Sequence, residues 1–265
     1  MYNNKIEELK NNLTTTWLGQ RIIYQPCMDS TNRVAKEAGD EGACHGTVVI
    51  TEMQTAGRGR MGRQWASPEG NLYASMLLRP SVAAERVSCL TLVAAVAVAE
   101  AILEVTNLTP GIKWPNDVVV AGKKLCGILT ESKVGADGVA YVVVGVGINV
   151  NQSKFSVDLS NMATSLSLQC GDSIDIDALL TVFLAHFEYY YDVFLQTADL
   201  SHIMERYNAL LVNRNQEVRV ISERETVRIA LGVDSLGGLV VQDMEGNQES
   251  IISGEVSVRG MYGYV

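Results

Sequence analysis

Cysteine and histidine are scarce and scattered, which closes off several classes of chemistry. The five cysteines, Cys27, Cys44, Cys89, Cys126 and Cys170, are odd in number and hold no Cys-x-x-Cys pair. That is a pattern of reduced thiols rather than of a disulfide framework. His45, His186 and His202 lie far apart without ligand spacing, so no zinc site is read here. Positive charge is in deficit, with 21 Lys and Arg against 30 Asp and Glu and a net charge of −9. Such a balance argues against a nucleic-acid-binding surface spread over the molecule. The longest apolar stretch, Leu90–Ala99, is too short to span a bilayer and ends at Glu100. Met1–Asn12 lacks the apolar core of a secretion signal, so a cytoplasmic protein without membrane or DNA partners is expected. There is no internal repeat and no linker rich in Pro, Gly or Ser, so any two domains are expected to pack tightly. What remains, 47% hydrophobic and 19% charged residues over 265 positions, suits one large globular domain and a small one.

One further absence is local. No acid falls between Glu52 and Glu69, and inside that window three arginines alternate with three glycines in Gly57-Arg58-Gly59-Arg60-Met61-Gly62-Arg63-Gln64-Trp65. Glycine lets the backbone approach a ligand closely, and arginine offers a fixed fork for carboxylate and phosphate oxygens. The loop follows the β-rich run Thr47–Thr51 and leads into another, Leu72–Leu78. A basic loop held between two core strands on an acidic body favours a small anionic ligand.

Elsewhere the spacing predicts a short helix over residues 30–38, with Ser30 or Thr31 placed to cap it. Val82–Val105 reads as one long buried helix, and Asp177–Gln196 returns to helical spacing. A last helix is expected near Leu200–Leu211. Tyr189, Tyr190 and Tyr191 have no interleaved basic residues and read as packing rather than as a base-stacking platform. Val118–Val120, Leu125–Glu131 and Val139–Val150 are β-branched runs joined by Gly-containing turns, which suits an antiparallel or mixed sheet. Beyond Val212 the texture changes to short alternating strands, Glu217–Ser222, Thr226–Val233, Gly238–Gln242 and Glu249–Ile252, as in a small SH3-like barrel.

Five ordered blocks carry a resemblance to a known family. They are Asp29-Ser30-Thr31-Asn32, the loop from Glu52 to Trp65, Lys113-Trp114-Pro115-Asn116-Asp117 with Gly122-Lys123-Lys124-Leu125-Cys126-Gly127, Gly145–Asn151, and Gly254–Arg259. Together they resemble biotin protein ligases, which adenylate biotin with ATP and transfer it to a lysine of an acceptor protein. The resemblance covers roughly residues 20 to 260. It implies an α+β fold, a mixed or antiparallel sheet covered by helices like that of class II synthetases and shared by biotin and lipoate ligases. Residues 1–211 would form the catalytic domain and 212–265 a small SH3-like barrel.

By the same resemblance, biotin would meet Ser30, Thr31, Asn32, Gln54, Gly57, Arg58, Lys124 and Gly127, with Gln54 on the ureido ring and Lys124 near the carboxylate. Gly127 and Gly147 would let backbone come close to the ring. ATP and the adenylate would meet Arg58, Arg60, Arg63, Trp65, Lys113, Asn116 and Asn149. In this arrangement Trp65 covers the adenine, Asn149 hydrogen-bonds it and Lys113 approaches the reacting phosphate. Arg58, Arg60, Lys113 and Lys124 would carry the chemistry, and Asp117 would hold Mg²⁺ through oxygen ligands. The implied partner is the biotin carboxyl carrier domain of a carboxylase; monomer and homodimer both stay open.

The residues suit that chemistry. A carboxylate must be activated before an amine can attack it, and bringing it against an α-phosphate requires fixed positive charge and backbone N–H groups. Three other readings compete. Lipoate ligases share the fold, but their arginine-glycine block places consecutive glycines after paired arginines. A biotin-responsive transcription regulator would need an amino-terminal winged helix-turn-helix, for which the first block, at residue 29, leaves no room. A binding protein without catalysis would not need both Lys113 and Lys124.

Overall fold

A computed structural model describes residues 2–136, 138–221, 225–252 and 257–260. In chain order the elements begin with α1 (Tyr2–Asn12), β1 (Ile22–Met28), α2 (Thr31–Asp40), β2 (Thr47–Gln54) and β3 (Leu72–Leu78). They continue with α3 (Cys89–Val105), β4 (Gly111–Lys113), β5 (Asp117–Val120), β6 (Lys123–Gly135) and β7 (Gly138–Ile148). Then come α4 (Leu166–Cys170), α5 (Ile176–Thr197) and α6 (Met204–Leu210). The chain closes with β8 (Gln216–Ile221), β9 (Glu225–Val233), β10 (Leu239–Gln242), β11 (Gln248–Ile251) and β12 (Ser257–Gly260).

The first seven strands form a mixed sheet in the order β1-β2-β3-β7-β6-β5-β4. Only β1 and β2 run parallel, joined through α2, and the remaining pairs are antiparallel. All seven residues of β3 are buried, so both faces of the sheet are covered there. Alternation along the strand assigns the faces. Leu72, Ala74, Met76 and Leu78 join the main core with α3 and α5, while Leu77 packs with Ala35 and Ala38 of α2. Ser75 shares the α2 face, and the site lies on that side.

The long apolar helix begins later than its composition suggests. Ala83 is extended and Ala84–Arg86 form a 3₁₀ turn, so the α-helix starts at Cys89. With its preceding turn, Ala84–Val105 is long and apolar enough to cross a membrane, but 72% of its most apolar 18 residues are buried inside the protein, as in a core helix. The last helix of this region is shorter than expected, Met204–Leu210, and α1, of mixed charge, was not foreseen.

The second sheet, β11-β10-β9-β8-β12, is antiparallel throughout, matching the small barrel expected beyond Val212. Within the last sequence block, Gly254, Glu255 and Val256 lie outside the described residues, while Ser257–Arg259 fall in β12 beside β8. Val218, Ala230, Leu239 and Val241 belong to the same hydrophobic cluster as α3. A turn fastens the two sheets: Leu200 donates its N–H to the Ser235 carbonyl (2.8 Å), and the buried Trp114 donates Nε1–H to the Gly237 carbonyl (3.1 Å).

Candidate active site

A cavity of about 530 Å³ opens on the α2 face of the sheet. The start of α2, the loop after β2, the turn between β4 and β5, the facing strands β6 and β7, the segment 149–163 and Arg219 of β8 all line it. Six cations, Arg58, Arg60, Arg63, Lys113, Lys124 and Arg219, face it against a single carboxylate, Asp117. That imbalance makes the cavity an anion receptor on a chain whose net charge is −9.

One end is neutral. Ser30 takes the N-cap position of α2 in extended backbone but makes no side-chain cap bond, so its hydroxyl is not spent on the helix. The Thr31 backbone N–H donates to Gln54 Oε1 (2.9 Å), and the Gln54 amide donates to Ser67 Oγ (2.9 Å). Ser67 in turn donates to the Trp65 carbonyl (3.0 Å). The amide of Asn32 donates to the Leu129 carbonyl (3.2 Å) and to Glu131 (2.9 Å). Burial works against the Glu131 carboxylate, yet its bonds from Lys36 and Asn32 hold its pKa below the usual value.

The arginine loop is bonded to itself. Gly59 N–H reaches the Arg63 carbonyl (2.7 Å), Trp65 N–H reaches the Gly57 carbonyl (2.9 Å), and Met61 adopts a left-handed φ of 55°. Gly57 is buried and does not line the cavity. A Cβ there would fall 2.5 Å from both the Trp65 carbonyl and Ser67 Oγ, so its close approach is to the returning loop instead of a ligand. Arg60 donates to Asn116 Oδ1 (3.1 Å), and Asn116 donates to the Ile128 carbonyl (3.1 Å), which ties the loop to the β4–β5 turn. Burial lowers the pKa of Arg60, though an arginine stays charged regardless.

Lys113 is 7% exposed, not a surface lysine, and Lys124 Nζ lies 2.5 Å from Asp117 Oδ1. The same ammonium sits 5.2 Å from the Trp65 ring centroid, within cation–π range. The indole lies across Gly127 and Gly147, which face each other in the β6–β7 register. A Cβ on Gly147 would fall 2.7 Å from Trp65 Nε1. These glycines therefore admit Trp65, where a close approach to the ligand ring was expected. Asn149 spends its amide on the Thr164 carbonyl (3.0 Å), so its side chain offers an oxygen acceptor, the partner an exocyclic amino group requires.

Among the described residues no cluster of three or more His, Cys, Asp or Glu is placed to hold a metal. Asp117, the one lining carboxylate, is already paired with Lys124. These residues do not fit a resident metal ion.

The sequence pattern of the biotin/lipoate A/B protein ligase family matches residues 24–149, and that of the biotin protein ligase C-terminal domain matches 215–259. The chain is 39% identical over 244 residues to the bifunctional ligase/repressor BirA of Bacillus subtilis, covering 90% of this chain and 74% of that protein. It is 31% identical to the biotin–[acetyl-CoA-carboxylase] ligase of Paracoccus denitrificans, covering 83% of this chain and 93% of that one. A biotin protein ligase from Aquifex aeolicus, solved in complex with biotin and ATP, superposes with a TM-score of 0.80 at 30% identity, covering 91% and 99% of the two chains. The chain belongs to the biotin protein ligase family.

Within that ligase, every expected site residue except Gly57 lines the one cavity. The cavity also holds residues that the sequence reading passed over. Phe155, Leu159 and Met162 supply an apolar wall from a segment without regular structure, fastened where Lys124 N–H meets the Met162 carbonyl (2.7 Å). Scattered apolar residues in a coil leave no periodic signal. Arg219 reaches in from the second sheet, where its alternating strand read only as barrel.

Proposed function

We propose that this cavity carries out ATP-dependent biotin ligation, with the head of biotin at its neutral end and the nucleotide among the cations. Six cations against one carboxylate carry the reading, because the reaction begins by pressing two anions together. The biotin carboxylate attacks the α-phosphorus of ATP, pyrophosphate leaves with the bonding pair, and a mixed anhydride, biotinyl-AMP, forms. A lysine amine of the acceptor then attacks the carbonyl carbon and AMP leaves. Fixed charges placed before the reaction lower the first barrier without reorganising in it.

Ser30, Thr31, Asn32 and Gln54 hold the ureido ring, supported by their convergence at the end of α2. Arg58 and Lys124 meet the carboxylate, Lys124 exchanging Asp117 for it. Lys113, Arg60 and Arg63 take the phosphates beside Asn116, and Trp65 with Asn149 holds the adenine. Mg²⁺ enters, on this reading, with the phosphates of ATP as part of the substrate. The catalytic domain is residues 1–211 and the carboxyl-terminal domain 212–265, supported by a second sheet that begins at Gln216. The acceptor is the biotin carboxyl carrier domain of a carboxylase, and the setting is the cytoplasm.

Incubating the protein with ATP, biotin and such a carrier domain should release pyrophosphate and biotinylate one lysine. Lipoate in place of biotin should give neither product. Pyrophosphate release with lipoate alone would replace this reading with lipoate ligation.

A further inference from the structure

Ser75 lies at the middle of β3, fully buried and outside every block that the sequence motifs mark. Its Oγ is 2.7 Å from Asn32 Oδ1 and 2.8 Å from Thr31 Oγ1. Directly across the register is Gly145, where a Cβ would fall 1.8 Å from Asn32 Oδ1. The sheet therefore presents a hydroxyl and a vacancy side by side, and the Asn32 side chain fills that vacancy.

Proton counting gives this hydroxyl a task. Asn32 Oδ1 has no hydrogen, so that contact is made only with the Ser75 proton. Thr31 Oγ1 has two protein neighbours that can take its own proton, Ser75 Oγ at 2.8 Å and Gln54 Oε1 at 3.2 Å. Gln54 is oriented from its other side, since its amide donates to Ser67. Whichever way the Ser75 hydroxyl turns, the Thr31 proton points into the protein, and Thr31 offers a ligand only lone pairs. Ser30, with no cap bond, keeps a proton to give. A cyclic urea matches that polarity, because its N–H finds an acceptor at Thr31 and its carbonyl a donor at Ser30.

We infer that Ser75 is a positioning residue for biotin: it touches no substrate but, together with Gln54, holds Thr31 as acceptor and keeps Asn32 in place, and so favours a ring that carries an N–H. The inference rests on the proposed placement of the ureido ring at this end. Failure of that placement would show as a wild-type enzyme indifferent to changes in the ring.

The test is steady-state pyrophosphate release by the intact protein with biotin and with the cyclic carbamate analogue in which one ureido N–H is replaced by oxygen. Ser75→Ala should raise the KM for biotin about tenfold, the size of one lost hydrogen bond. The KM for ATP should stay within about twofold, a change too small to count as a lost hydrogen bond. Without Ser75 the Thr31 proton keeps one inward acceptor, the longer Gln54 Oε1 contact at 3.2 Å, and turns outward more often, so the variant should also lose part of the preference for biotin over the carbamate. Ser75→Cys keeps the volume and a weak donor and should fall between the two, which preserves the test should the alanine variant not fold. An unchanged biotin KM, equal rises in both KM values, or an undiminished preference for biotin would each overturn the assignment.

Discussion

At the start of α2 the cavity wall is neutral, buried and hydrogen-bonded almost throughout. At the other end, three arginines on the 57–63 loop have, among the described residues, one side-chain hydrogen bond between them, from Arg60 to Asn116. The difference follows from what each end must recognise. A neutral ring is discriminated by a few directional groups, which act only when their own partners are fixed beforehand. Phosphates present many equivalent oxygens, and charges on a flexible backbone can gather around them when they arrive. The neutral end therefore sits on strands and a helix cap, while half of the charged end, Arg58, Arg60 and Arg63, rides on a glycine loop and half, Lys113, Lys124 and Arg219, on strands.

The largest expected effect comes where the two ends meet. Lys113→Ala should slow adenylate formation by about 10²–10³-fold, the usual cost of one preorganised charge stabiliser. Pyrophosphate burst kinetics would read it, with an unchanged thermal midpoint excluding loss of fold. A burst at the wild-type rate would remove Lys113 from the chemistry.

Gly145→Ala attacks the neutral end alone. Its methyl must displace Asn32, at an overpacking cost of about 1–3 kcal/mol. Biotin affinity by calorimetry should fall with the thermal midpoint while ATP affinity holds, a split that breaks the comparison if ATP binding falls equally.

Arg60→Gly addresses the charged end. One charge-assisted contact is worth about 1.5–3 kcal/mol, so biotinyl-AMP should escape roughly tenfold faster or more. An inert bystander protein added to the reaction would then become biotinylated, as a streptavidin blot shows. An active variant that labels no bystander would mean that Arg60 does not retain the intermediate.

Hydrogen exchange should sharpen the contrast without mutation. Amides at 57–63 should slow markedly when biotin and a non-hydrolysable nucleotide bind, since glycine loops are ordered at an entropic cost that ligands offset. Amides of Thr31 and Ser75 should be protected in both states. Equal protection of the loop with and without ligand would mark a pre-formed charged end.

The smallest effect concerns pH. The Glu131 pKa is lowered from 4.5 in the folded chain, so its contribution is present above the ordinary carboxylate range and lost as pH falls through the folded pKa. Biotin affinity should hold from pH 7 down to about 5 and decline only below the usual carboxylate pKa. Glu131→Gln should remove that decline.

The motifs made the charged end legible in advance, because Arg58, Arg60, Lys113 and Lys124 are residue types that announce a task. The neutral end was half legible. Ser30 and Gln54 stood in motifs, but Ser75 in Leu72–Leu78 reads as one small residue in a core strand, and only the partners across the sheet give its hydroxyl a meaning. The break before Cys89 was hidden for a related reason. Alanines and valines continue through it, and the extended Ala83 that ends helical geometry has no compositional mark. The surroundings of Gly57 were not legible either, because a glycine's close approach has no direction in sequence; here it faces its own loop.

Trp114 separates two questions that a motif match runs together. Like its neighbours Lys113 and Asn116 it borders the cavity, but its indole N–H is anchored on the Gly237 carbonyl, in the turn between β9 and β10. The short block Lys113–Asp117 is thus a lever with its fulcrum in the carboxyl-terminal module. A chain trimmed before Val212 would keep every letter of the block, yet the lever would have nothing to rest on, and intact spelling would no longer certify a working ligase.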